Sequence, residues 1–327
     1  MARRTRVFVL TALAAAAVAA AAVAVGALQG DPPPPTAPVG SVAAPRTGRP
    51  PLVLDLGVRV DREARALRQA AALYAKGDAA AARTAFATHG SLEAKVGAAL
   101  ATWPDGSLDR LTRLAGLYPR SGAVQLHLAL ARIWAAVPGE RDALEAALAA
   151  DPDSLYAVTA GDLLYPRFAP GLPQFVPPTE PPAALSGRTP PRQLALLRVL
   201  AEESVSGKLH YGVALQRLGR PRSAERVFAA AARAAPDDPD AQVAAAVGRF
   251  DKARPAAAFS KLGPLTPRFP ERATVRFHLG LLLLWSGEVV AARNQLEQAV
   301  AVEPGSLYAA EARRYLATLD EVGLTQS

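Results

Sequence analysis

Pro236, Pro270 and Pro304 stand at a fixed interval of 34 residues, and the stretches closing on the first and last of them are built alike. Residues 279–304 present Leu279-Gly280, Gly287, Ala292, Leu296, Ala299 and Pro304. Residues 211–236 present Tyr211-Gly212, Gly219, Ala224, Phe228, Ala231 and Pro236 in the same register. A period of roughly 20–50 residues marks an array in which each unit buries its apolar face only against its neighbours. Small residues at 280, 292 and 299 let two antiparallel helices approach closely. Gly287 permits a tight turn between them, and Pro304 starts the next helix. The expected fold class is therefore all-α, an α-solenoid of antiparallel helix pairs. Half the residues are hydrophobic, but Ala dominates them and aromatics make up only 6%, which suits close-packed helices better than a sheet.

The stretch closed by Pro304 resembles a tetratricopeptide repeat, whose pattern is Trp-x2-Leu-Gly-x2-Tyr, then Ala-x3-Phe, then Pro. Leu279-Gly280 match the Leu-Gly pair, Leu283 replaces Tyr, Ala292 and Leu296 stand for Ala-x3-Phe, and Pro304 closes the repeat. Arg276 departs from the pattern, at a position where Trp is common. The middle repeat, 239–272, keeps Ala258, Leu262, Leu265 and Pro270. Its Pro255 sits near the inter-helix turn, and Pro264 and Pro267 shorten its second helix.

The array also repeats as a whole. Leu73, Gly77, Ala82 and Phe86 have the spacing of Leu215, Gly219, Ala224 and Phe228. PRSGAVQLHLALARIW, from Pro119, aligns with PERATVRFHLGLLLLW, from Pro270, at an offset of 151. Beyond it, Pro152 to Ala157 align with Pro304 to Ala309 at an offset of 152, so one residue is lost between 135 and 143. Two modules of three helix pairs follow, 62–152 and 205–306, each closed by a single helix, about 155–164 and 307–319. A closing helix shields the apolar face that a solenoid end exposes. Glu311, Arg313 and Arg314 beside Leu307, Leu316 and Leu319 fit that role. The domains read as a first module over 62–164, a proline-rich linker over 165–190 and a second module over 191–320. That linker is either a flexible spacer or a segment lying along one module's groove, because its scattered aromatics are unusual for a bare linker. Residues 191–204 open the second module as an amphipathic helix.

Residues 7–28 form an uncharged run behind Arg3, Arg4 and Arg6. As a helix this run spans roughly 33 Å, enough for a hydrocarbon core of about 30 Å. It reads as a retained membrane anchor with the repeats extracytoplasmic; a cleaved signal peptide, which makes the protein secreted, is the alternative. Residues 31–51 hold eight prolines and read as an extended spacer. There is no Cys, which excludes disulfides, thiolate metal sites and a Cys nucleophile. The net charge of +8 comes mostly from Arg, in a chain whose Ala, Arg, Pro and Gly content suggests a high-GC coding bias. With export across a membrane, this argues against a nucleic-acid partner.

No G-x-S-x-G, H-E-x-x-H, P-loop or G-x-G-x-x-G occurs, and no nucleophile is paired with a base, so no enzyme activity, cofactor or metal is expected. His127 and His278 occupy equivalent positions, which points to shared packing. Asp237, Asp238 and Asp240 read as acids at a helix start. What remains is a binding scaffold for protein or peptide partners. Tetratricopeptide arrays hold extended segments along the first helices of their pairs. The resemblance thus implies a partner groove at Leu126, Leu130, Ile133 and Trp134, at their duplicates Phe277, Leu281, Leu284 and Trp285, and at Leu209, Val213, Gln216 and Arg217. Leu67 and Tyr74 belong to the first repeat. Packing between helices is the alternative use of these residues. The implied function is a membrane-tethered, non-catalytic scaffold in envelope assembly or secretion; a docking or regulatory subunit of an envelope enzyme complex is the alternative.

Overall fold

The computed structural model describes residues 45–321, which divide between Leu164 and Tyr165 into two compact units. The anchor segment and residues 31–44 of the spacer lie outside the described residues. No helix among the described residues is long and apolar enough to cross a membrane.

The first unit pairs α1 (Arg62–Lys76) with α2 (Ala79–Ala87), α3 (Leu92–Leu100) with α4 (Ser107–Leu117) and α5 (Gly122–Ala135) with α6 (Glu140–Ala150); α7 (Leu155–Leu164) closes it. Local chemistry sets the starts. Asp61, Asp78, Ser91 and Ser121 each accept the backbone N–H three residues on, satisfying a donor the helix leaves free. Gly77, at φ 100°, turns the chain from α1 into α2, a conformation that strains any residue with a Cβ.

The second unit begins with α8 (Pro190–Glu203), the amphipathic helix expected over 191–204. The pairs follow: α9 (Val205–Arg217) with α10 (Pro221–Ala234), α11 (Pro239–Val247) with α12 (Ala256–Leu262), and α14 (Ala273–Trp285) with α15 (Val289–Val302). A short α13 (Leu265–Arg268) follows α12, because Pro264 interrupts that second helix, while Pro267 lies within α13. Helix α16 (Leu307–Glu321) closes the unit. The described residues are thus all-helical and packed in consecutive pairs, the solenoid-like arrangement expected.

Within each unit, successive first helices touch one another, while successive second helices stay further apart. Each array therefore curves toward its first helices, and that side is its inner face. Bulky residues on the second helices reach between them. A Cβ on Gly212 of α9 would stand 2.2 Å from the Phe228 ring, and one on Gly280 of α14 would stand 3.0 Å from Leu296. The lost residue does not come from the loop: the second helix α6 has 11 residues where α15 has 14. Four residues separate α5 from α6, and three separate α14 from α15. Ala136 carries φ 54° where the second unit has Gly287 at φ 81°.

Candidate functional site

In each unit an extended segment from the N-terminal side of its own helices lies along the inner face. In the first unit it is Arg46–Leu56, RTGRPPLVLDL, and in the second Ala169–Thr179, APGLPQFVPPT. The two align at an offset of 123, sharing Gly48/Gly171, Pro50/Pro173 and Val53/Val176, with Leu52 or Phe175 before the Val. Both glycines adopt positive φ, 79° and 74°. We call these segments straps. The second is what the proline-rich stretch 165–190 becomes, so of its two readings the groove-lying one holds. Residues 46–51 of the expected spacer belong to the first strap.

Corresponding contacts hold both straps. The Arg46 N–H donates to the Trp134 carbonyl (2.9 Å) and the Ala169 N–H to the Trp285 carbonyl (3.1 Å). The Pro50 carbonyl accepts from Tyr74 Oη (2.7 Å) and the Pro173 carbonyl from Gln216 Nε2 (3.3 Å); Tyr74 and Gln216 are equivalent residues near the ends of α1 and α9. The Val53 N–H donates to His127 Nε2 and the Val176 N–H to His278 Nε2, each at 3.0 Å. The closing helices complete the set. Tyr156 Oη accepts the Asp55 N–H (3.1 Å). Tyr308 Oη lies 3.2 Å from the Val176 carbonyl and shares its one proton between that carbonyl and Asp240 Oδ1 at 2.6 Å. An extended segment in polyproline-like backbone has no internal hydrogen bonds, so these side chains supply what a sheet neighbour otherwise would.

The histidine contacts fix a protonation state. A backbone N–H only donates, so Nε2 of each ring accepts and carries no proton. Nδ1 then carries it, donating to the Ala123 carbonyl (2.6 Å) or the Thr274 carbonyl (2.7 Å) one turn back. Both rings are fully buried and neutral. Burial drives the His127 pKa down to about 4 and that of His278 to about 3, against a weaker opposing effect of the backbone bond. Burial likewise pushes the Tyr74 phenol up to about 12, keeping its proton available for Pro50.

The side chains of the two straps are gripped differently. In the second, Phe175 is fully buried, stacked on His278 at 4.9 Å and edge-on to Phe228 at 5.6 Å. Phe168 just ahead of it packs against Phe250 at 6.2 Å, and Lys252 Nζ donates to the Ala169 carbonyl. In the first, Leu52, Val53 and Leu54 are only half-buried, and Pro50 and Leu56 are the buried residues. Two cation–π contacts are added there. The Arg46 guanidinium lies 4.9 Å from the Trp134 ring, and that of Arg49 lies 5.3 Å from Tyr74 while donating to its carbonyl. Trp103 Nε1 donates to the Gly48 carbonyl (3.0 Å).

Of the expected groove residues, Leu126, Leu130, Leu209, Val213, Phe277, Leu281, Leu284 and Trp285 are buried, Ile133 and Trp134 are half-buried, and Arg217 is exposed. Phe277 packs against Tyr308 and Tyr315 of α16, a contact between helices. Trp134 meets its strap through both its carbonyl and its ring, and Trp285 through its carbonyl. The two histidines, which the sequence assigned to shared packing, are buried as expected but also bind the straps. The signal for that was present: an equivalent His in each module, and a Gly-x-Pro-x-apolar-Val segment ahead of each. The three acids are structural. Asp238 caps α11, Asp237 pairs with Arg268 at 2.7 Å, and Asp240 accepts from Tyr308 Oη at 2.6 Å. Compared with known proteins, the chain matches no family model and no curated protein.

Proposed function

We propose that the chain is a non-catalytic repeat scaffold of tetratricopeptide type, tethered to a membrane by residues 7–28 with its helices extracytoplasmic. In this reading it holds extended segments of partner proteins in envelope assembly or secretion. The observation that carries it is the duplicated strap. Two inner faces with different side chains both hold extended chain through its backbone, and reading backbone is what lets a repeat array accept segments from other proteins. The uncharged N-terminal run behind three arginines supports the tether.

The test places a photo-crosslinking amino acid at Trp134 and at Arg217 in the intact, membrane-bound chain, with Val290, exposed on α15, as a control. The expected result is a discrete set of crosslinked envelope proteins from the first-helix positions and not from Val290. Identical products from all three positions, or none, would refute the scaffold reading. Alkaline extraction of the same membranes checks the tether, since an anchored chain stays in the pellet.

A further inference from the structure

The two straps differ in how firmly they are attached. The second is bounded on both sides by helices, α7 ending at Leu164 and α8 starting at Pro190, and it buries two phenylalanines. In the first, which residues 57–61 join to α1, Leu52, Val53 and Leu54 stay half-buried. Its side-chain grip combines the buried Pro50 and Leu56 with two guanidiniums on the Trp134 and Tyr74 rings, of which Arg46 is exposed and Arg49 half-buried. Apart from the Arg49 and Asp55 side-chain bonds, its hydrogen bonding goes through backbone groups that any extended segment offers.

We propose that the first strap is a displaceable stand-in, and that the inner face of the first unit receives a basic, proline-containing extended segment of a partner protein in its place. The second strap stays as a permanent part of its unit. The recognised chemistry is read off the resident segment, Arg-x-Gly-Arg-Pro-x-apolar-Val-x-Asp. The first Arg stacks on Trp134, Gly supplies the positive φ, and the second Arg covers Tyr74. Pro is buried and offers its carbonyl to the Tyr74 hydroxyl. The Val N–H meets His127. The Asp N–H meets Tyr156, and its carboxylate accepts the Leu155 N–H at 3.1 Å. A partner competes with a tethered strap whose effective concentration is on the order of millimolar, so exchange needs a segment that binds more tightly than the resident one.

This proposal rests on the scaffold reading for the existence of a partner, yet the two fail separately. If a loosened groove rejects the segment, the exchange is lost and a partner elsewhere on the helices remains open. If the chain crosslinks to nothing, the scaffold and its partner are lost, while displacement of the strap by the peptide is still measured on its own.

The experiment titrates a fluorescein-labelled peptide of residues 45–56 onto the full chain, reading anisotropy. Arg46→Ala/Arg49→Ala loosens the resident strap without touching a helix, and Val53→Pro does so independently by deleting the donor to His127. Either loosened chain is expected to bind the peptide at least tenfold more tightly than the wild type. Adding His127→Ala should reverse that gain, and adding His278→Ala should leave it intact. A peptide with both arginines replaced by Ala should bind at least tenfold more weakly. With helicity retained by circular dichroism, three outcomes overturn the proposal: no gain in either loosened chain, a gain that depends on His278, or dimerisation of the loosened chains by mutual strap exchange that shuts the peptide out.

Discussion

At the scale of single residues, His127 and His278 carry the most consequence, because each holds its strap only as a neutral acceptor. Protonating Nε2 would set one N–H against another and leave a charge buried among aromatic rings. The groups facing His127 are Tyr156, Val53 and its own turn; those facing His278 are Phe175, Phe277, Tyr308 and Thr274, with Asp240 one step away through Tyr308. The folded pKa values lie below the ordinary value near 6.5, so the unfolded chain binds more protons as acidity rises. The stabilisation is therefore complete above about pH 6.5. It falls by roughly 1.4 kcal/mol per pH unit per histidine, until each folded pKa is passed. Urea midpoints of the wild type should drop between pH 7 and pH 4.5 by more than those of His127→Gln/His278→Gln. Parallel curves would show that the carboxylates alone set the acid response.

At the scale of elements, helix pairing depends on small residues where a bulky partner crosses. Gly212→Ala would place a methyl group 2.2 Å from the Phe228 ring, and Gly280→Ala would place one 3.0 Å from Leu296, a longer and more flexible contact. Overpacking of this kind costs about 1–3 kcal/mol, and Gly212→Ala belongs at the upper end. Chemical denaturation should rank the two in that order, and equal midpoints would contradict this account of the pairing. These positions explain why the fold was legible. The 34-residue proline spacing, Gly212, Ala224 and Phe228 are local marks of a pair, and the closing helices followed from the need to cover an array end. The lost residue could be placed between 135 and 143, although not its effect: α6 is shorter than α15, while the longer α5–α6 loop holds Ala136 in a left-handed conformation that Gly287 adopts freely. The straps were only partly legible. Proline density excludes helix and strand but names no docking surface, and the bonds that hold Val53 and Val176 come from residues 74 and 102 positions away. The expected groove was read from side chains facing inward, whereas much of the grip on the straps runs through carbonyls, imidazoles and hydroxyls.

At the scale of the whole molecule, the straps change how the units hold together. A bare solenoid is stabilised only between neighbours, so its ends fray independently. Here one segment joins Gln216 near the end of α9, His278 in α14 and Tyr308 in α16, so the first helix pair and the closing helix of the second unit share a tie. Phe175→Ala removes its buried anchor and should cost about 3–5 kcal/mol. Amide exchange should show α9 and α16 losing protection together, while Leu52→Ala, half-buried in the first unit, has a smaller effect. Loss confined to α9 would mean the strap does not couple the ends. The order of the chain adds a consequence in time. Each strap is synthesised before every helix that receives it, and the tyrosine that completes its contacts arrives last. Throughout that interval the segment must neither coil nor pair with a neighbouring chain. Its prolines forbid the one and discourage the other, so they keep each strap available until its unit is complete.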